Sequence, residues 1–495
     1  MSKVQKGASA QQGTLSTKEL FGIIGAIVAM VVVMMLPTPE GLSPGGHKLA
    51  ALFLGALVLW STEALPLAVT VVIVIVLQPL FGLRNAADPP PPFVPNAPIT
   101  LGAAITNSIS PIFFFVMVMY FVAYAWVKTG LAKRFALWMI SKAGTDTKRI
   151  VWVFVCGTAV ISMVVSDVPC AAIFMGVALG IFEKLKLQPG VSNFGRCVML
   201  GIPLGSLIGG VGTPAGSSVN LLGLNMIVAN GGKTIPFLQW MMLGVPMVIL
   251  LVPVAAWTLL KFYPPEIPSI GSASEIQSER DQLGPVSANE WKVLVIMGAM
   301  LTMWITSNWY PGNPYFDIYT VALVGATAMF LPGIRLFKWS EVQNNTGWDT
   351  LLLIMGISSL GAASSSTGLA KWLAVTVLGG VQGQSTAVVL LVISAFTVVI
   401  HLVMPIAPII NAVMIPPIMV LGQQAGVNPV LYALPVIFTA SCAMLLPLDA
   451  VPLVTYSKGY YKFFDMFKPG LVISIVWVIL MTVLMLLIGP RIGLL

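Results

Sequence analysis

Four short stretches of this chain carry residue types suited to chemistry, and all four lie inside apolar runs. The first reads Ser162-Met163-Val164-Val165-Ser166-Asp167-Val168-Pro169, within the apolar run 150–182. A carboxylate at a bilayer centre costs roughly 2.5–3.5 kcal/mol on insertion scales, so Asp167 needs a reason to be there. Ser162 and Ser166, four residues apart, share one helix face, and Pro169 removes a backbone donor. The second stretch is Gly209-Gly210-Val211-Gly212-Thr213-Pro214-Ala215-Gly216, followed by Ser217, Ser218 and Asn220. The third is Met404-Pro405-Ile406-Ala407-Pro408, with His401 about a turn before it and Asn411, Pro416 and Pro417 after it. The fourth is Leu446-Pro447-Leu448-Asp449-Ala450-Val451-Pro452. Unwinding a helix at membrane depth frees carbonyls for a cation and exposes half-helix N-termini whose dipoles favour an anion. Irregular backbone survives there only when buried in protein or lining a cavity. The chemistry to expect is ion and small-anion binding; the plainer alternative at Asp167 is a kinked helix capped by its own turn.

The elements that must position these residues are membrane helices. Of 495 residues, 57% are hydrophobic and 8% charged, against about 25% charged in soluble domains. The net charge of +8 is spread along the chain, with no basic-aromatic patch and no phosphate-binding Gly-Lys-Ser/Thr loop, which argues against nucleic acid. Cys156, Cys170, Cys197 and Cys442 lie in apolar runs and read as small buried hydrophobes. Two histidines, His47 and His401, form no Ser–His pattern or metal cluster, so no enzyme and no cofactor is expected. The first apolar segment is too long for a signal-peptide core and reads as a retained helix.

Spans of about 20 apolar residues are expected at 18–36, 48–62, 65–83, 111–127, 197–229, 241–262, 291–309, 318–337, 350–366, 431–456 and 469–488. Two interrupted stretches, 150–182 and 387–421, fit re-entrant hairpins. With the N-terminus in the cytoplasm, this layout puts 20 of the 25 basic residues on the cytoplasmic side and the C-terminus outside, as the positive-inside rule requires. Reading either hairpin as a single span spoils that asymmetry.

The peptide Thr129-Gly130-Leu131-Ala132-Lys133 recurs 238 positions later as Thr367-Gly368-Leu369-Ala370-Lys371, on the opposite side of the membrane in this layout. Inverted repeats with broken helices in matching places point to a secondary transporter. The expected organisation is a cytoplasmic tail at 1–17 and a first helix plus repeat one at 18–262, its unwound helix near 209–217. A cytoplasmic linker follows at 263–290, then repeat two at 291–495 with its unwound helix near 446–453. The loop 84–98 is proline-rich and expected outside, with Pro89 to Pro92 favouring an extended, stiff stretch, and 131–140 should form an amphipathic helix along the inner surface.

At the four breaks, and at Glu63-Ala64-Leu65-Pro66-Leu67-Ala68-Val69-Thr70, the chain resembles the divalent anion:sodium symporter family, the INDY-type di- and tricarboxylate transporters. The resemblance covers roughly 63–470. Ser162 to Val168 sits where the family has Ser-x-x-x-Ser-Asn-Thr, and Gly209 to Asn220 is similar to its Gly-x-Gly-Thr-x-x-Gly-x-x-x-Asn. Ala440 to Pro447, with Gly459-Tyr460 later, resembles the end of its second repeat. The resemblance implies a homodimer in the inner membrane, a scaffold domain, an elevator-type transport domain, and a site between two hairpin tips. Asp167 and Val168 replace the first tip's Asn and Thr; Ala407-Pro408-Ile409 replace the second tip's Ser-Asn-Thr, and Val403 takes the preceding hydroxyl position.

The expected cation site is therefore Ser162, Ser166, Asp167 and the backbone at Gly212, with sodium as its ion. Expected around the substrate are Ser166, Asp167, Val168, Thr213, Ser217 and Asn220 from the first half. His401, Ala407, Pro408, Asn411 and Asp449 join them from the second. The function expected is secondary active transport of a small organic anion with reduced sodium coupling. The alternatives are sodium-independent exchange, proton coupling through Asp167 or Asp449, and, from a different class, a channel.

Overall fold

The computed structural model describes residues 16–233, 235–270, 281–310, 312–404 and 406–494. Most of the expected N-terminal tail, part of the linker with Arg280, and Pro405 of the third break lie outside the described residues. The chain is helical; the described residues contain no strand, only the isolated bridges Arg84–Pro98 and Asp146–Ser269.

The helices in chain order are α1 (Thr17–Met35), α2 (Pro44–Thr62), α3 (Leu67–Leu80), α4 (Leu101–Thr106), α5 (Pro111–Lys128), α6 (Leu131–Ala143) and α7 (Thr147–Val165). Then come α8 (Asp167–Lys184), α9 (Asn193–Gly210), α10 (Ser218–Ala229), α11 (Phe237–Phe262), α12 (Ala288–Thr306), α13 (Ile318–Ala328) and α14 (Trp339–Gln343). The last are α15 (Trp348–Ser366), α16 (Leu369–Leu378), α17 (Thr386–Ile400), α18 (Ala407–Gln424), α19 (Pro429–Ala440), α20 (Ala450–Tyr456) and α21 (Phe467–Ile488). Many starts are capped by short polar side chains: Ser16 and Ser287 close capping boxes with Glu19 and Glu290, and Asp146 accepts from the Arg149 amide.

By length and composition, five helical segments among the described residues can cross a membrane, Pro111–Lys128, Thr147–Val165, Phe237–Phe262, Ala407–Gln424 and Phe463–Ile492. Trp348–Ser366 with Leu369–Val381 makes a sixth if taken as one bent span. The eleven expected spans outnumber these because several fall on short or interrupted helices: 197–229 is split between α9 and α10, 431–456 between α19 and α20, and α13 has 11 residues.

The recurring pentapeptide has the same local form in both places. Gly130 links α5 to α6 with φ 81°, and Gly368 links α15 to α16 with φ 81°. Both take the left-handed conformation that glycine adopts without cost. The succession that follows also recurs: a short helix, a helix ending in a break, then an 18-residue helix, α8 and later α18, starting 240 positions apart.

Two compact units follow from the packing. One holds the described residues up to Ser108 and Trp348–Trp372. In it α1 lies on α2, and α3 lies on α15, where the Gln78 amide donates to Ser359 Oγ at 2.8 Å and that hydroxyl donates to the Ala104 carbonyl at 3.0 Å. The ends of the proline-rich 84–98 loop, on either side of Pro89 to Pro92, pair through Asn85 N–H to Ala97 O and Ile99 N–H to Leu83 O.

The other unit holds Ile109–Gly347 and Leu373–Leu495. Its densest contact is α7 against α9, where a Cβ on Gly209 would sit 2.1 Å from the Ala159 carbonyl oxygen. Backbones meet there with no room for a side chain. α6 is amphipathic, burying Leu131, Ala136, Leu137 and Ile140. Arg134 on it grips Glu290 at 2.6 Å and 3.1 Å and donates to the carbonyls of Leu283, Gly284 and Pro285, so one of its cations serves the linker. Cys170, Cys197 and Cys442 are buried, and Cys156 is half-buried. The three buried thiols donate to the carbonyls of Thr158, Tyr263 and Leu207.

Candidate functional site

The first break is one residue long. α7 ends at Val165, Ser166 has φ 79° and ψ 153°, and α8 starts at Asp167. That region of backbone space belongs almost wholly to glycine, so a serine held there is strained, as residues at binding sites often are. Pro169, expected within the break, is the third residue of α8. The first turn of a helix leaves its N–H groups unpaired, so a proline there costs nothing.

Asp167 is buried. Its carboxylate accepts from the Val168 amide at 2.9 Å and the Ser166 hydroxyl at 3.2 Å, and the Ser217 hydroxyl also reaches it. Ser206 donates to the Asp167 carbonyl at 2.7 Å, and Ser162 donates to the Ser206 carbonyl at 2.7 Å. Ser162 thus ties α7 to α9 while keeping lone pairs free to ligate.

The second break runs over 211–217, between α9 and α10. Three side chains brace it. Asn220 donates to the carbonyls of Gly210 at 2.8 Å and Thr213 at 3.1 Å; Thr213 donates to the Met163 carbonyl, and Trp240 to the Val211 carbonyl. At Gly216 the backbone passes so close that a Cβ would sit 2.4 Å from Gly210 O and 2.9 Å from Ser162 O. Hydroxyls, a carboxylate and closely spaced carbonyls thus gather at one point. Hard oxygens of this kind suit a sodium-like cation. Among the described residues no group of His, Cys, Asp and Glu forms a transition-metal site.

The second half contributes differently. Residues 401–406 separate α17 from α18, and Ala407 and Pro408, expected at the tip, are the first two residues of α18. Leu402 and Val403 are exposed. His401 is turned inward, with Nδ1 2.9 Å from the Thr397 carbonyl and Nε2 3.0 Å from the Ala440 carbonyl. Asn411 donates to the Val219 carbonyl at 2.9 Å, which joins α18 to α10; its buried Oδ1 has no hydrogen-bond partner among the described residues. The fourth break covers 441–449; Asp449 is half-buried as the N-cap of α20 and makes no side-chain cap bond. α20 packs on α8 and α9, which brings the Asp449 segment beside the first break. Ser441 closes the set by donating to Asn220 Oδ1 at 2.6 Å.

Of the expected residues, Ser162, Ser166, Asp167, Thr213, Ser217 and Asn220 are brought together; the backbone that approaches Ser162 and Asp167 is that of Gly210, while the expected Gly212 packs against Met163 and Gly244. Val168 contributes its amide while its side chain is exposed. A partly open cleft borders this cluster, lined by Val116, Met119 and Tyr120 of α5, by Ser166 and Pro169, and by Ser218 of α10. The α5 residues carried no signal in the sequence, because that helix is unbroken and uncharged until Lys128.

The sequence pattern of the sodium:sulfate symporter transmembrane region matches residues 17–495. A Cupriavidus necator membrane protein is 28% identical over 87% of this chain and 84% of its own length. The sodium-dependent dicarboxylate transporter SdcS of Staphylococcus saprophyticus is 27% identical over 96% and 92%. Among solved structures, Neisseria gonorrhoeae MtrF, described as one of a class of antimetabolite efflux pumps, has a TM-score of 0.55 at 13% identity, over 86% of this chain and 96% of that one. The Alcanivorax borkumensis YdaH transporter has a TM-score of 0.55 at 14% identity, over 86% and 98%. At such identities these two share the fold alone. The family and its SdcS relative are membrane transporters of anions, not enzymes. Matched along nearly its whole length, this chain belongs to the sodium:sulfate symporter family, the divalent anion:sodium symporters.

Proposed function

We propose that the chain is a secondary active transporter of a small organic anion of the di- or tricarboxylate kind, coupled to at most one sodium ion. The observation that carries this reading is the contrast in oxygen at the two tips. Asp167, Ser166 and Ser217 meet at the first, whereas Val403, Ala407 and Pro408 offer no side-chain oxygen at the second. Carbonyls alone bring no fixed negative charge to offset the dehydration of sodium. The anion would approach from the cleft beside Ser166 and Ser218, at the N-terminal ends of α8 and α10, with the cation at Asp167 offsetting that carboxylate.

The recurring glycine junctions support two repeats, and the basic-residue asymmetry supports their opposite orientation, with the N-terminus cytoplasmic and the C-terminus outside. Eleven spans with hairpins at α7–α8 and α17–α18, elevator-type movement and a homodimer complete the proposed architecture. A reporter fused after Lys371 that is active in the cytoplasm would reject the inverted arrangement.

The functional test is uptake into proteoliposomes under imposed sodium or proton gradients, with preloaded anion as the exchange control. A sodium Hill coefficient of about one is expected; a value clearly above one rejects the single-site reading. A second reading, proton coupling, is favoured by Asp449, a half-buried carboxyl without a cap bond. It predicts uptake driven by a proton gradient without sodium. Trans-stimulation by preloaded anion separates either carrier from a channel.

A further inference from the structure

His401 sits where two helices end. It is the C-cap of α17, and its Nε2 reaches Ala440, the last residue of α19. The carbonyls it meets, those of Thr397 and Ala440, belong to the final turns of their helices. Oxygens there lack helical partners and carry the negative end of the helix dipole. A carbonyl only accepts. A neutral imidazole has one N–H to donate and presents a lone pair from its other nitrogen. Only the doubly protonated ring satisfies both contacts, and a flipped ring would turn C–H groups toward both carbonyls. His47 provides the contrast. Its Nε2 is 2.7 Å from the Val33 carbonyl, but its Nδ1 is 3.1 Å from the Thr38 hydroxyl, which can donate. A neutral ring completes that set.

We propose that His401 is a proton-binding site that latches the first arm of the second hairpin to the end of α19. With the proton bound, the ends of α17 and α19 are tied through one ring. On its release, one contact becomes lone-pair repulsion and the tie opens. The effect has a direct route onward. Ser441, next to Ala440, donates to Asn220, and Asn220 holds the Gly210 and Thr213 carbonyls of the break beside Asp167. Neither α17 nor α18 carries a titratable residue. α19 carries Tyr432, α21 carries Lys468 in its first turn, and Cys442 and Asp449 lie in the segment after α19. None of these is hydrogen-bonded or ion-paired to the ring among the described residues.

The consequence for transport rests on the reading above; the protonation of the ring can be tested without it. The chain has two histidines, so protein with ring-15N-labelled histidine in nanodiscs gives two ring spectra, and His47→Gln assigns them. Between about pH 5 and about pH 9 the His401 ring should pass reversibly from both nitrogens protonated to a single tautomer. Dicarboxylate counterflow should change at least about fivefold over the same interval, the lower end of coupling between sites. His401→Gln should flatten that profile. A ring with one bare nitrogen at every pH overturns the proposal. So does one doubly protonated throughout, which is a fixed brace, or a pH profile unchanged in His401→Gln. Absence of counterflow with any dicarboxylate would reject the transport reading and leave the ring spectra to decide this one.

Discussion

The α7–α8 break and the α17–α18 break each precede an 18-residue helix and differ in almost everything else. The first is a single strained serine, packed against a braced loop and surrounded by oxygen. The second spans 401–406, exposes Leu402 and Val403, and turns its one polar side chain back onto helix ends. The frame of a site and its chemistry are therefore separable: an 18-residue helix can follow a break rich in oxygen and a break without it. What distinguishes the first is the neighbouring backbone, which Gly216 allows to approach within touching distance.

The strongest challenge to this contrast is Asp167→Ala. Removing the one carboxylate of the first tip should lower transport at least about 100-fold, roughly 3 kcal/mol, with cation dependence lost. Asp167→Asn, which supplies the family residue, should keep transport and weaken cation affinity. Unchanged uptake and cation dependence in Asp167→Asn would return Asp167 to a helix-capping role.

Next comes Gly216→Ala. The methyl would meet the Gly210 and Ser162 carbonyl oxygens, which are backbone and cannot step aside. Overpacking of this kind costs about 1–3 kcal/mol, read as a lower thermal midpoint together with weaker cation binding.

A control remote from both tips is the Arg134–Glu290 pair. Burial pushes the Glu290 carboxyl up, but the Arg134 guanidinium and Ser287 outweigh it and hold it below the usual carboxylate range. Its stabilisation is therefore complete above the unfolded value of about 4.3 and is withdrawn as pH falls through the lower folded value. Glu290→Gln should lower stability by about 1–2 kcal/mol near neutral pH, less than for a fully buried pair because Arg134 is partly exposed. The gap to the unsubstituted chain should shrink in acid. Cation affinity should not move; if it does, the tips are not locally determined.

The smallest effect belongs to the second tip. Val403 is 72% exposed and touches no proposed ligand, so Val403→Ala should leave transport within about twofold, or 0.5 kcal/mol. A larger loss would show that this tip does more than frame the site.

Sequence reading found the first tip and its loop because charge, hydroxyls and glycines stand out in apolar runs. It misplaced the ends of the breaks for one physical reason. Proline in an apolar run suggests unwound chain, yet Pro169, Pro408 and Pro452 each occupy the first turn of the helix after a break. A ring there removes an N–H that has no helical partner. The observed breaks therefore stop before the prolines, at Ser166, Ile406 and Asp449. The second partner of His401, the Ala440 carbonyl, lies 39 residues away, which no local spacing encodes. Met119 and Tyr120 border the cleft only because α5 passes the first tip.

The buried thiols have a practical consequence. Cys170, Cys197 and Cys442 are enclosed, each with its sulfur directed at a carbonyl, and only Cys156 is half-buried. A membrane-impermeant maleimide should find almost nothing to modify in the unaltered chain. Replacing Cys156 alone should give a chemically silent background, in which a single new cysteine at Ser166 or Val403 reports which face of the membrane its tip can reach.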